Sequence, residues 1–367
     1  MSNLVRVKVE QSYPIKSEKK RVIYADILRV LATLAVINIH VTSSYSLASF
    51  TTTNLTDWWV ENLFNSLSRW SVPIFFMVSG MLLLQTKKEE TVGQFFRKRT
   101  QKVLVPFFIW GLIYGLVKTR YTGVPFDLTV FLKELVTGKI YLHFWFLYTI
   151  IALYIFTPIV KFFIAHAKKQ LIMYALGIWF VSTCCIPLLE RSLHVNFYIS
   201  SKISFTEGYL GLFVLGYVLS RAEIGRKLRL VLYAAGISSL AAIPLLTYVL
   251  TAKNGGKLDG FFYNYLGLAV VLASTAIFIG SKSVNWEKRL ENSKRLLPFL
   301  RTVSDVSFGI YLVHLIFLAE LGRGFEIFQL QTPALLRVPL TNLAVFALSL
   351  ITVLVLQRVP LLKKMVP

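Results

Sequence analysis

Residues 24–47 read YADILRVLATLAVINIHVTSSYSL, with Asp26, Arg29 and His40 as the only acidic or basic side chains. A helix needs about 20 mostly apolar residues to cross the hydrocarbon core of a bilayer. This run meets that length, and the pattern repeats along the chain. The expected spans are Tyr24–Leu47, Asn65–Leu84, Val103–Val117, Tyr141–Phe163, Leu171–Leu189, Phe205–Ser220, Leu230–Thr251, Phe261–Gly280, Ser304–Leu321 and Val338–Gln357. Only 16% of the residues are charged, against roughly 25% in a soluble domain. In lipid only helices and closed barrels satisfy their own backbone. A barrel demands alternating polarity, which these continuous apolar runs lack. The expected fold class is therefore all-α, a polytopic integral membrane bundle of about ten transmembrane helices. Residues 1–23 and 358–367 read as short tails around a single membrane domain, 24–357. The connections are too short to hold a soluble domain, and no internal repeat marks a transporter-like inverted symmetry.

The formal net charge of +22 raises the question of nucleic acid, but the placement of the charge answers it. Of the 40 Lys and Arg, 27 fall in the tails and in the loops on one side, 10 on the other, and three (Arg29, Arg69, Lys161) within spans. An alternating excess of this kind is the positive-inside rule. It places both termini in the cytoplasm and the chain in the plasma membrane, with the lipid bilayer as its partner and no nucleic acid. Cys184 and Cys185 are adjacent inside an apolar span; that spacing supports neither a disulfide framework nor a ligand set, and no metal is expected.

Ionisable groups inside a membrane are costly, so each is a functional candidate. Arg29 and His40 are eleven residues apart, about 16 Å along one face of a helix. Asp26 lies three residues before Arg29 and can pair with it. Packing explains His40, and an interfacial ion pair explains Asp26, if neither is functional. Arg69, near the outer end of the second span, reaches the depth of His40 or else snorkels to the interface. Arg97, Lys98, Arg99 and Lys102 form the densest cationic patch beside the bilayer. Topology or acidic lipid accounts for such a patch; a polyphosphate co-substrate is the sharper reading, because arginine forks suit phosphate. The stretch from His143 through Trp145 to Tyr148 suits an outer aromatic belt. His314 lies about 15 Å into the ninth span, one turn after Tyr311, with a structural or a chemical role. Glu207, near an outer span end, ranks lower.

Taken together these segments resemble the acyltransferase 3 family of membrane-bound O-acyltransferases. The likeness rests on Arg29-x10-His40, on Pro73 to Gly80 with its Ser79–Gly80 end, and on the basic run Arg97–Lys102 before Pro106. It rests also on His143-Phe144-Trp145-Phe146-Leu147 and on Ser307 to His314 with its Tyr311-Leu312-Val313-His314. The order covers the chain from about Tyr24 to Gln357. Lys102 stands where many relatives have a second arginine, and there is no room for the extracytoplasmic hydrolase-like domain that some carry.

The resemblance implies a membrane O-acyltransferase that moves an acyl group from cytoplasmic acyl-CoA, acetyl-CoA or a short relative, to a hydroxyl of a cell-surface glycan or its lipid-linked precursor. His40 would be the general base, with Arg69 and His314 as further catalytic groups. Arg29, Arg97, Lys98, Arg99 and Lys102 would bind the phosphates of the donor. Asp26, His143, Trp145, Tyr311 and Glu207 would meet the acceptor. A homo-oligomer is compatible with this reading. The alternative is a secondary transporter or exporter of a small polar solute, which would also keep charges inside the bundle but show no affinity for CoA.

Overall fold

The computed structural model describes residues 21–43, 50, 55–85, 91–197, 208–324 and 331–367. These are mostly helical and contain no strand. The helices are α1 (Ile23–Thr42), α2 (Leu55–Ser66), α3 (Ser71–Leu84), α4 (Val92–Arg99), α5 (Val105–Thr122), α6 (Leu128–Thr137), α7 (Trp145–His166), α8 (Lys169–Phe180) and α9 (Ile186–Leu193). They continue as α10 (Tyr209–Arg221), α11 (Arg226–Lys253), α12 (Leu268–Ser283), α13 (Trp286–Leu290), α14 (Leu296–Gly324) and α15 (Ala334–Arg358). Single π-helical turns, Thr100–Leu104 and Val181–Cys185, join α4 to α5 and α8 to α9.

Nine helical runs among the described residues are long and apolar enough to cross a membrane, and α10 is a shorter apolar helix at the sixth expected span. Large apolar side chains such as Phe162 and Ile237, each 68% exposed, cover the outside of the bundle, as a lipid-facing surface requires. The chain is a polytopic membrane bundle.

Several boundaries differ from the sequence reading, the third run for one beginning at Val92 rather than Val103. The second run begins at Leu55, because α2 precedes α3 through a turn at 67–70. Hydropathy hides α2, since its inward face is polar: Glu61, Asn62, Asn65 and Ser66 are all buried. Their polar groups find partners inside the bundle, for example Arg337 Nη2 to Glu61 Oε1 at 2.6 Å. The helix at the ninth expected span likewise begins at Leu296 rather than Ser304.

Small residues set the tightest packing. A Cβ on Gly80 would stand 1.7 Å from the Phe213 carbonyl oxygen, and one on Gly216 2.0 Å from that of Met77. α3 and α10 therefore run side by side at a separation only glycine permits. Around them α1 packs between α3 and α14. The buried core includes Leu28, Phe76, Met77 and Phe213, and this frame encloses the polar interior described next.

Candidate active site

A cavity of about 320 Å³ runs inside the frame. Its wall takes Arg29, Val36, Ile39 and His40 from α1, Phe75 and Ser79 from α3, and Lys102 from the π turn. Trp145, Phe146 and Tyr154 come from α7, and Ser307, Phe308 and Tyr311 from α14, with His143 just before α7. Arg29 and His40 both line it, so the cavity follows their shared helix face for about 16 Å.

Three imidazoles meet at one end. The ring centroids of His40 and His314 are 5.2 Å apart, and those of His314 and His143 5.6 Å. His314 Nδ1 lies 2.6 Å from the Tyr311 carbonyl oxygen. A carbonyl only accepts, so Nδ1 carries the proton and Nε2 of the neutral ring keeps its lone pair. That Nε2 is buried without a partner, as are both ring nitrogens of His143. Tyr311 donates its hydroxyl to the His143 carbonyl, tying α14 to the start of α7.

At the other end the wall is mainly cationic, and the Asp305 carboxylate in it is paired with Arg21. Arg99 stacks over Phe95 at 5.3 Å and Tyr154 at 5.5 Å. Lys161, on α7, lies 5.7 Å over Phe95. Lys102 and Arg29 both line the wall here. Arg99 and Lys102 thus share the side their spacing implies. Arg97 and Lys98 are exposed and off the wall.

Asp26 corrects an expectation. Its carboxylate takes Arg21 Nε at 2.6 Å, Arg21 Nη2 at 3.0 Å and the Ser304 hydroxyl at 2.7 Å. Arg21 also reaches Asp305 at 2.9 Å, so this group clamps α1 to α14. Arg29 is left with no ion-pair partner among the described residues.

Arg69 turns inward rather than snorkelling. Its Nε donates to Asn65 Oδ1 at 2.7 Å, and its guanidinium sits 4.2 Å over the Tyr263 ring and 5.5 Å over that of Tyr265, a wall residue. Asn65 Nδ2 in turn donates to Thr42 Oγ1 at 2.8 Å and to the Ile39 carbonyl at 3.3 Å. Asn65 therefore links Arg69 to the turn of α1 that carries His40. Sequence reasoning gave Asn65 no role: it stood as the first residue of the expected second span, with the rest of α2 before it read as loop. Tyr154 left no signal, being one aromatic among many in an apolar run.

The aromatic-belt reading of the 143–148 stretch is also overturned. His143 is 1% exposed and Phe144 and Leu147 are fully buried. Trp145 stacks on Tyr265 with centroids 5.7 Å apart. Packing against α5 and α14 claims these side chains for the interior. Glu207 lies outside the described residues.

A second cavity, of about 470 Å³, begins on the other side of His40. Its wall includes Tyr121, Tyr141, Leu318 and Arg323. His40 lines both cavities.

Against known proteins, a family model described as an acyltransferase domain matches residues 22–357. The chain belongs to the acyltransferase 3 family. As a member of that family it is a membrane acyltransferase. The match takes in every named wall residue of both cavities. Among curated proteins it is similar to "Putative membrane-bound acyltransferase YfiQ" of Bacillus subtilis (strain 168), 23% identical over 270 residues, which is 70% of each chain. No solved structure matches the chain. Among the described residues no group of three or more His, Cys, Asp or Glu is arranged to hold a metal ion.

Proposed function

We propose that this family member transfers an acetyl or other short acyl group from cytoplasmic acyl-CoA to a hydroxyl of a cell-surface glycan or its lipid-linked precursor, with His40 as general base. The observation that carries the reading is the position of His40 in the walls of two cavities. The donor cavity begins at Arg29 and Lys102, with Arg99 behind the wall residue Tyr154, cations suited to phosphate, and leads about 16 Å to the imidazole. That mouth belongs to the basic loops, so the positive-inside rule puts it, and both termini, in the cytoplasm. The second cavity then faces the outer side of the plasma membrane, where a glycan acceptor is found. In this reading residues 24–357 act as one domain between two tails.

His40 takes the proton of the acceptor hydroxyl as its oxygen attacks the thioester carbonyl, a contribution of about 10²–10⁴ in rate. The tetrahedral intermediate collapses with loss of the carbon–sulfur bond. His40 returns the proton to the leaving thiolate, so an ester and a free thiol form with no net proton change. His314 offers an unpartnered Nε2 lone pair 5.2 Å, centroid to centroid, from this ring, suited to orienting the His40 tautomer. Arg69 stabilises negative charge near the reacting end. The acyltransferase family model over residues 22–357 favours this reading over a carrier of small polar solutes.

The test uses the purified full chain in nanodiscs with radiolabelled acetyl-CoA, alongside mass spectrometry of surface glycans from a deletion strain and its parent. His40→Ala is expected to bind acetyl-CoA as the parent does and to lose transfer. Transfer within tenfold of the parent returns His40 to a packing role.

A further inference from the structure

The second cavity narrows what the acceptor must be. Arg323 lies in its wall, on the last turn of α14, and its guanidinium carbon sits 3.5 Å over the ring of Tyr121. Tyr121, at the end of α5, is itself held by its hydroxyl, which donates to Glu320 Oε1 at 2.7 Å. Glu320 is thereby engaged with the tyrosine, and among the described residues Arg323 has no ion-pair partner. A guanidinium held over an aromatic face loses rotamer freedom before any ligand arrives and still has N–H groups to offer an anion. Apart from His40 and the hydroxyls of Ser43 and Thr341, the rest of this wall is apolar or aromatic, with Leu318 and Tyr141 among it, so among the described residues Arg323 is the Lys or Arg that a charged ligand in this space would meet.

We propose that Arg323 is an anion anchor for the acceptor, which carries a phosphate or carboxylate group remote from the hydroxyl that is acylated. The inference rests on the reading of His40 given above, because His40 marks where that hydroxyl lies. Arg323 stands nine residues beyond His314 on one continuous helix, and His314 is level with His40. The rise of a helix puts the backbones of His314 and Arg323 about 13 Å apart along the axis. One sugar ring does not bridge that separation. The acceptor is therefore an anionic oligosaccharide or a lipid-linked one, and not a small neutral alcohol or a lone monosaccharide.

Binding to the full chain in nanodiscs tests this directly. Three probes of similar length are compared: a disaccharide on polyprenyl diphosphate, the same disaccharide on neutral diacylglycerol, and a soluble uronate-containing trisaccharide. At least one charged probe is expected to bind about tenfold more tightly than the neutral one, the scale of a partly exposed charge-assisted contact. Preference for the diphosphate or for the uronate identifies the source of the anion. Arg323→Gln is expected to erase the preference, and Arg323→Lys to keep part of it by retaining the charge. His40→Ala is expected to keep the preference in full, which separates failure of this proposal from failure of the catalytic one. Equal affinity for charged and neutral probes, failure of both charged probes to bind, or a preference that survives in Arg323→Gln, overturns it.

Discussion

Replacing Asn65 with leucine keeps the volume of a buried side chain and removes every polar contact it makes. Asn65 is fully buried. It accepts from the Arg69 guanidinium at 2.7 Å and donates to Thr42 Oγ1 at 2.8 Å, with longer contacts to the Ile39 carbonyl and Ser43 Oγ, both at 3.3 Å. A hydrogen bond to a charged group is worth about 2 kcal/mol and a neutral one about 1 kcal/mol. The substitution thus costs about 3 kcal/mol of stability, a sizeable share of the roughly 5–15 kcal/mol that holds a protein folded. Its effect on chemistry is the sharper consequence. The Ile39 carbonyl and Thr42 flank His40 on the last turn of α1, so loosening them shifts the imidazole, and a shift of about 1 Å can cost a hundredfold in rate. The cationic mouth lies about 16 Å away and is untouched. Thermal unfolding and steady-state transfer by Asn65→Leu should therefore show a lower midpoint, a kcat reduced at least tenfold and an unchanged KM for acyl-CoA. A variant whose midpoint and kcat both match the parent refutes the linkage through Asn65. A raised KM with normal kcat refutes the assignment of the two ends of the cavity.

The cationic mouth makes a graded prediction: Arg29→Ala and Arg99→Ala each weaken acyl-CoA binding about tenfold to a hundredfold, while Arg97→Ala, exposed and off the wall, stays within twofold by calorimetry. Loss of affinity confined to Arg97→Ala would move the phosphate site to the outer face of α4. Transfer should also depend on pH with a definite sign. A general base acts only when neutral, so protonation of His40 lowers kcat on the acid side of the profile; a kcat that rises as the pH falls removes histidine from the role of base. Gly80→Ala must push α3 from α10, because its Cβ would meet the Phe213 carbonyl at 1.7 Å. Overpacking of this kind costs about 1–3 kcal/mol, and an unfolding midpoint equal to the parent's would show that the two helices do not pack this closely.

The sequence alone determined that the chain spans a membrane as a helical bundle of about ten passes, because hydrophobic length and charge asymmetry are local quantities summed along the chain. It also placed Arg29 and His40 on one face, since a helix turns that spacing directly into geometry. Its motifs were enough to suggest the family, which the match over residues 22–357 bears out. It hid most of α2, whose Glu61 and Asn62 look like a solvated loop and are in fact buried against polar partners on other helices. It paired Asp26 with Arg29, the nearest cation on the helix, whereas Asp26 meets Arg21 and Ser304. It read His143 as part of a belt, whereas the residue stands beside His314 across 171 positions of chain. Only the tertiary structure decided these, because burial and hydrogen-bond partners depend on which helix lies next to which. Hydropathy scores a side chain against water or lipid; it has no term for a polar neighbour brought from another span.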